Sequence, residues 1–439
     1  MNSTHSSRAS YASAYLFVAA LGVSPACGDD SNSNSNGNGN GNGNGNTDVP
    51  PAAFGVVRSD FSSTAIATLR DDGSILDAAV LDSGSQAPGL VTALSGDVVL
   101  ANATRGEAGI LNILDRFQTD VFSRFDLESG QILGQLRVKD GFPTNPHDMA
   151  VVDGSRGWIS RFGVNTEGGQ PVIDQANDVI EIDIGTFELT GRRVSLDRFT
   201  ARATAMRDGG PVEVDVFARP SLVTLVDSTL VVGLTLLSRE FDAASPGKVG
   251  LVDVEAATLD EFALPEASRN CGSLRAVPGR PAMVLVACSG FAQPFGEESQ
   301  VRASAGVYLL EFARGTPELV KSWEPRAAPR PLAVQNVIPI DESRFVAVDY
   351  GEFGVSGDEA FVIDLDSGES TFLFQAGDAF SIGIGAFDAE TGLLVMPDAS
   401  EDSSGLRRFV EGGDGSFTAD GVQAFTDQPL PPRSIYLLP

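Results

Sequence analysis

The sequence predicts an all-β protein assembled from repeated hairpins. Three observations carry that expectation. Alternation of apolar and polar residues with a period of two recurs from Phe54 to the last residues of the chain. Short turns rich in Gly, Asp and Ser, residues suited to tight reversals, interrupt it. The 439 residues include 48 glycines and 26 phenylalanines, a composition suited to many turns and many short strands.

The N-terminal segment stands apart from this pattern. Residues 1–10 carry one basic side chain of the Lys/Arg type, Arg8, and residues 11–23, YASAYLFVAALGV, form a 13-residue apolar stretch. That length is short for a bilayer span and right for the core of a signal peptide. Ser24 and Ala26 are small residues at −3 and −1 relative to Cys27. The segment resembles a bacterial lipoprotein signal. The resemblance implies removal of residues 1–26 and attachment of lipid to the Cys27 thiol. The family usually has Leu where Ser24 stands, and Pro25 follows it, so ordinary cleavage after Ser-Pro-Ala is the alternative.

The run from Ser31 to Asn46 has no apolar residue and nothing to bury. Residues 27–53 therefore read as a flexible linker with an r.m.s. span of ~25–30 Å. The expectation for location is the cell envelope, at the outer membrane, with the bilayer as a partner through the lipid.

Hairpins begin after Phe54. One set includes TAIATLRDDGSILDAAVL (64–81), VFSRFDLESGQILGQLRV (121–138), VGLVDVEAATLDEFAL (249–264) and AFVIDLDSGESTFLF (360–374). In all, seven such hairpins recur at intervals of about 40–65 residues. Between them lie six of a second set, among them SLVTLVDSTLVVGLT (221–235) and AVQNVIPIDESRFVAVDYG (333–351). Two hairpins per repeat give four antiparallel strands, and seven such units closed in a ring make a seven-bladed β-propeller over residues 54–439. The seventh inner hairpin is missing. FGVVRSD (54–60) has no partner strand before it and RSIYLLP (433–439) has none after it, so the C-terminal strand is expected to close blade one.

The inner hairpins, above all NPHDMAVVDGSRGWISRFG (145–163), look like those of YVTN-type propellers. WISRFG and VVGLT stand where that family carries its Tyr-Val-Thr-Asn run. The resemblance implies the fold and leaves function open, because propellers host enzymes, receptors and scaffolds alike.

The formal charge of −29 argues against nucleic acid and against docking on anionic lipid, and it fits a soluble monomer. Of three cysteines, Cys271 and Cys288 flank the turn PGRP (278–281) symmetrically, which places them opposite each other in a hairpin. A cross-strand disulfide is expected, with free thiols or a metal pair as the rival readings, and Cys27 is left single.

Propeller ligands usually sit at the mouth of the central channel, lined by loops entering the innermost strand and leaving the second. Asp60, Asp349 and Asp398 end second strands of neighbouring blades. Three carboxylates there could hold Ca²⁺ or could cap loop amides. His147 beside Asp148 could form a general base or a turn. Arg161, Arg219, Arg330 and Arg433 lie at similar positions, where they could hold an anion or pair with the surplus acids. No G-x-S-x-G, HExxH or P-loop motif occurs, and two tryptophans are too few for the Trp docking motif of quinone-dependent propellers. The leading functional expectation is a binding or scaffold module for a protein, peptide or glycan. The alternative is a lactonase-like or other metal-dependent hydrolase.

Overall fold

The computed structural model describes residues 52–439, apart from 102–105, 117, 208, 294–297, 314, 326–330, 332–333, 335 and 428. The segments expected to form a signal peptide and, as far as residue 51, a linker, with Cys27, and also Arg330, lie outside the described residues.

The described residues form seven antiparallel sheets in a β-propeller. Sheet one holds β1 (Phe54–Ser59), β2 (Thr64–Leu69) and β3 (Ile75–Asp82), and sheet two holds β4 (Val98–Leu100), β5 (Ile110–Asp115), β6 (Val121–Asp126) and β7 (Gln131–Arg137). Sheet three follows with β8 (Pro146–Val151), β9 (Arg156–Val164), β10 (Ala176–Asp183) and β11 (Glu188–Ser195). Sheet four contains β12 (Ala201–Arg207), β13 (Gly210–Val226), β14 (Thr229–Ser238), β15 (Lys248–Asp253) and β16 (Thr258–Ala263). Sheet five contains β17 (Ser273–Val277), β18 (Arg280–Ser289), β19 (Ala305–Ala313) and β20 (Thr316–Trp323), with a short helix, α1 (Glu298–Ser304), between β18 and β19. Sheet six is β21 (Val337–Pro339), β22 (Arg344–Asp349), β23 (Glu359–Asp364) and β24 (Ser370–Gln375). Sheet seven is β25 (Ala386–Asp388), β26 (Leu393–Asp398), β27 (Gly405–Glu411) and β28 (Phe417–Gln423), and β29 (Pro432–Leu437) then returns to sheet one.

The ring closes as the missing hairpin required. β29 pairs antiparallel with β1, Phe54 opposite Leu437 and Val56 opposite Ile435, in the order β29-β1-β2-β3. Sheet four departs from the expected four strands. β13 is 17 residues long, and its first half extends past the inner hairpin and pairs with β12 as a fifth strand, Arg207 opposite Gly210.

Apolar packing joins each sheet to the next. One buried cluster lies between each neighbouring pair, and the last joins Phe54, Val56 and Leu69 of sheet one to Leu393, Val395 and Leu406 of sheet seven. Burial of these stripes is the main force holding the ring.

Four of the outer hairpins share one turn chemistry. Asp126, Asp183, Asp253 and Asp364 each end a strand, and each accepts through Oδ1 from the amides two and three residues on, at 2.7–3.2 Å. The fourth residue on has positive φ: Gly130 at 67°, Phe187 at 57°, Ala257 at 51° and Gly368 at 71°. An aspartate that mimics a turn carbonyl stabilises this reversal even where no glycine is present. Cys271 and Cys288 form the expected disulfide beside the inner hairpin of sheet five.

Candidate functional site in the central cavity

Buried aspartates fix the inner strands from which the site is built. Asp148 accepts from the amides of Met149 (2.8 Å) and Val223 (3.0 Å), which links sheets three and four. Asp358 accepts from the amides of Gly351, Phe380, Ser381 and Ile382 at 2.7–2.9 Å, which links sheets six and seven. Burial raises the Asp358 pKa in spite of these four bonds.

A cavity of about 1790 Å³ opens where the sheets meet, and each of the seven sheets, or the segments beside it, contributes to its wall. The wall is made of segments entering inner strands and leaving second strands, the face expected from the repeat pattern. The lining is mostly apolar, and aromatic rings are prominent at its rim. Phe353 is 82% exposed and Phe61 is 53% exposed.

The centre of interest is a stack on sheets three and four. The His147 ring lies parallel to Phe162, with centroids 4.3 Å apart and an interplanar angle of 8°. The Arg219 guanidinium lies over Phe162 at 5.4 Å and over Phe241 at 4.9 Å. His147 Nδ1 is 3.3 Å from Ser221 Oγ. Burial, reinforced by the Arg116 and Arg219 charges, holds the His147 pKa well below the usual imidazole value, so the ring is neutral at physiological pH. Burial, with Arg239 nearby, pushes the Arg219 pKa down to about 10.

The remaining expected site residues divide by their contacts. Arg433 lines the cavity, donates from Nε to Ser59 O at 2.9 Å and covers the Phe61 ring at 4.7 Å. Burial lowers its pKa, against the opposing effect of Asp60. Asp349 also lines the cavity. Arg161 does not serve as a mouth residue: it is fully buried in an ion pair with Asp178. Nor do His147 and Asp148 act as a dyad, because the Asp148 oxygens bind backbone amides and His147 faces Ser221.

The three expected calcium ligands do not assemble. Asp60 Oδ1 accepts from the amides of Ser62 and Ser63 in an exposed turn, both at 2.8 Å. Asp398 is buried against Ser400 and in an ion pair with Arg407. Among the described residues no three His, Cys, Asp or Glu side chains are grouped to hold a metal ion. Local amides and an arginine have taken the oxygens a cation would need.

Sequence reasoning missed the aromatic residues. Phe61, Phe162, Phe241 and Tyr350 each follow a polar residue at the end of a second strand, in SDF, SRF, REF and VDY. A common register carried the signal. Asp60, Arg161 and Asp349 are the polar residues of that register, and the aromatic residue after each lines the cavity.

No protein-family model matches the chain, and none of the curated proteins matches it. Solved structures share its fold. A candidate 6-phosphogluconolactonase from Bacteroides uniformis is 10% identical with a TM-score of 0.55, covering 88% of this chain and 99% of its own. A second, from Bacteroides fragilis, is 11% identical with a TM-score of 0.54, covering 90% of this chain and 100% of its own. Hydrazine synthase of Kuenenia stuttgartiensis is 11% identical with a TM-score of 0.52, covering 87% of this chain and 99% of its own. Likeness at this level of identity establishes the propeller and nothing about activity.

Proposed function

We propose that the protein is an exported, lipid-anchored binding module that takes a ligand into its central cavity. The observation that carries the binding role is the cavity itself: about 1790 Å³, open, largely apolar and rimmed by rings. Such concave sites with a few placed polar groups are where small ligands and peptide segments bind. The strongly acidic chain, at −29, supports a partner other than nucleic acid. The anchor rests on Ser24, Ala26 and Cys27 and on the polar linker behind them.

Two experiments test the two halves. Cys27→Ser should move the protein from the membrane fraction to the soluble fraction, and unchanged partitioning rejects the anchor. Ser273→Trp places a large ring in the cavity wall. It should abolish the melting-temperature shifts that peptides, glycans and organic acids produce in the parent protein. Shifts that survive the plug place binding elsewhere.

One contact favours a second reading, hydrolysis of an ester or lactone without a metal. Ser221 Oγ sits beside the neutral His147 ring at 3.3 Å, inside the cavity. Product formation from an ester or lactone, lost in Ser221→Ala, would favour this reading over simple binding.

A further inference from the structure

In a chain with 59 acidic and 30 basic residues, a buried arginine has many potential partners. The other arginines buried as deeply have taken one. Arg58 pairs with Asp427 at 3.0 Å, Arg124 with Glu107 at 2.8 Å and Arg161 with Asp178 at 2.6 Å. Arg219 has not. It is 8% exposed, its Nε has no hydrogen-bond partner, and among the described residues no carboxylate pairs with it. A buried guanidinium without a counter-charge is costly, and such a group is usually paired or removed.

The surroundings hold the guanidinium ready instead of neutralising it. Phe162 and Phe241 lie against it at 5.4 and 4.9 Å. Rings on the guanidinium faces leave its hydrogen-bonding edge as the part able to meet a ligand. Arg219 lines the cavity together with Ser221, Thr235 and Arg239. Across the cavity, sheets six and seven present Asp349, Glu352, Asp378 and Glu401. Arg116, Arg275 and Arg433 line the same cavity, so its wall carries both signs of charge, and the one buried guanidinium left unpaired among the described residues is matched by one negative charge shared over two oxygens.

We propose that Arg219 is the anchor of an anion site in the central cavity and that it takes an organic monocarboxylate with a flat, apolar body. The carboxylate meets the guanidinium edge through two parallel N–H···O bonds, and the apolar body lies among the rings of the wall. The bound ligand supplies the counter-charge that the fold withholds. This inference rests on the central cavity being the ligand site.

The test is calorimetric titration of the purified full chain with benzoate, benzamide and phenyl phosphate. Benzoate should bind. Benzamide, the neutral analogue, should bind at least about 10-fold more weakly, and phenyl phosphate should bind more weakly than benzoate. Arg219→Met should weaken benzoate by about 100-fold, the loss expected for a buried bidentate charged pair. Arg219→Lys, which keeps the charge and loses the planar fork, should weaken it by about 10-fold. Arg219→Met should also melt no lower than the parent, because it removes an unpaired charge, so its loss of binding is not a loss of fold.

Absence of benzoate binding, equal affinity for benzamide, or unchanged affinity in Arg219→Met overturns the proposal. Preference for phenyl phosphate overturns the carboxylate assignment. If benzoate fails while neutral ligands still bind in a manner blocked by Ser273→Trp, the cavity remains the ligand site and only the anion inference falls.

Discussion

Arg161 and Asp178 form a two-pronged ion pair from which solvent is fully excluded. Nε donates to Oδ1 at 2.7 Å and Nη2 donates to Oδ2 at 2.6 Å. Asp178 also pairs with Arg193, and Arg161 Nη1 donates to the carbonyls of Val138, at 2.9 Å, and Ile173. The pair joins β9 to β10 and ties the approach to β8 into sheet three. Removing one charge strands the other, and such losses run to ~3–5 kcal/mol. Asp178→Asn should therefore lower the denaturation midpoint by that equivalent. A loss below ~1 kcal/mol in urea unfolding contradicts this account.

Asp115 makes stability depend on pH. It ends β5, it is buried, and it accepts hydrogen bonds from the Ser95 amide and hydroxyl. Burial pushes its pKa up to about 6, against the Ser95 bonds. A carboxyl whose folded pKa exceeds its unfolded value stabilises the fold fully below the unfolded pKa, near 3.8, and that contribution is lost as pH rises through about 6. Asp115→Asn mimics the protonated form. The variant should match the parent near pH 4 and exceed it by ~2–3 kcal/mol at pH 8. Thermal unfolding of both proteins across that range is the measurement, and a difference that does not change with pH rejects the claim.

The disulfide offers a third check. Cys271 and Cys288 are 17 residues apart, and a covalent loop of that size contributes ~3 kcal/mol in the chain-entropy model. The double Cys→Ala variant should melt several degrees lower than the oxidised parent and at about the temperature of the reduced parent. Equal melting of the oxidised parent and the variant counts against it.

The closing strand is the fourth. β29 carries Ile435, which is buried with Phe54, Val56 and Leu393, and it covers the inner edge of β1. Deleting residues 433–439 exposes that edge and opens the cluster. The truncated protein should lose several kcal/mol and aggregate on heating. An unshifted melting curve would mean that the ring does not depend on this seam.

The scaffold was readable because its causes are local and periodic. The hairpins announce themselves through alternation and turns of Asp, Gly and Ser, as in FDLESG around Asp126, and counting the hairpins leads directly to the strand exchange at the ends. The extra strand escaped for a specific reason. AMRDGGPVEV (205–214) has a turn signal of its own, but two hairpins per repeat had already accounted for that sheet. The site was half readable. Of the residues named from register, His147, Asp148, Arg219, Asp349 and Arg433 line the cavity. Register could not separate Arg219 from Arg161, because the difference lies in whether Asp178, distant in neither space nor sequence, meets the guanidinium. Three-dimensional packing decides that, and residue type and spacing do not.

The seam between β1 and β29 also governs the order of events in folding. Phe54 and Leu437, which lie opposite each other in that seam, are separated by nearly the whole described chain. Hairpins inside sheets two to seven can form from contiguous segments as soon as these exist. Sheet one must wait, holding three strands with a bare inner edge, until β29 arrives. Closure over so long a contour is entropically the slowest contact in the molecule. A nascent or stretched chain without β29 in place therefore stays an open arc, and the arrival of β29 makes it a ring.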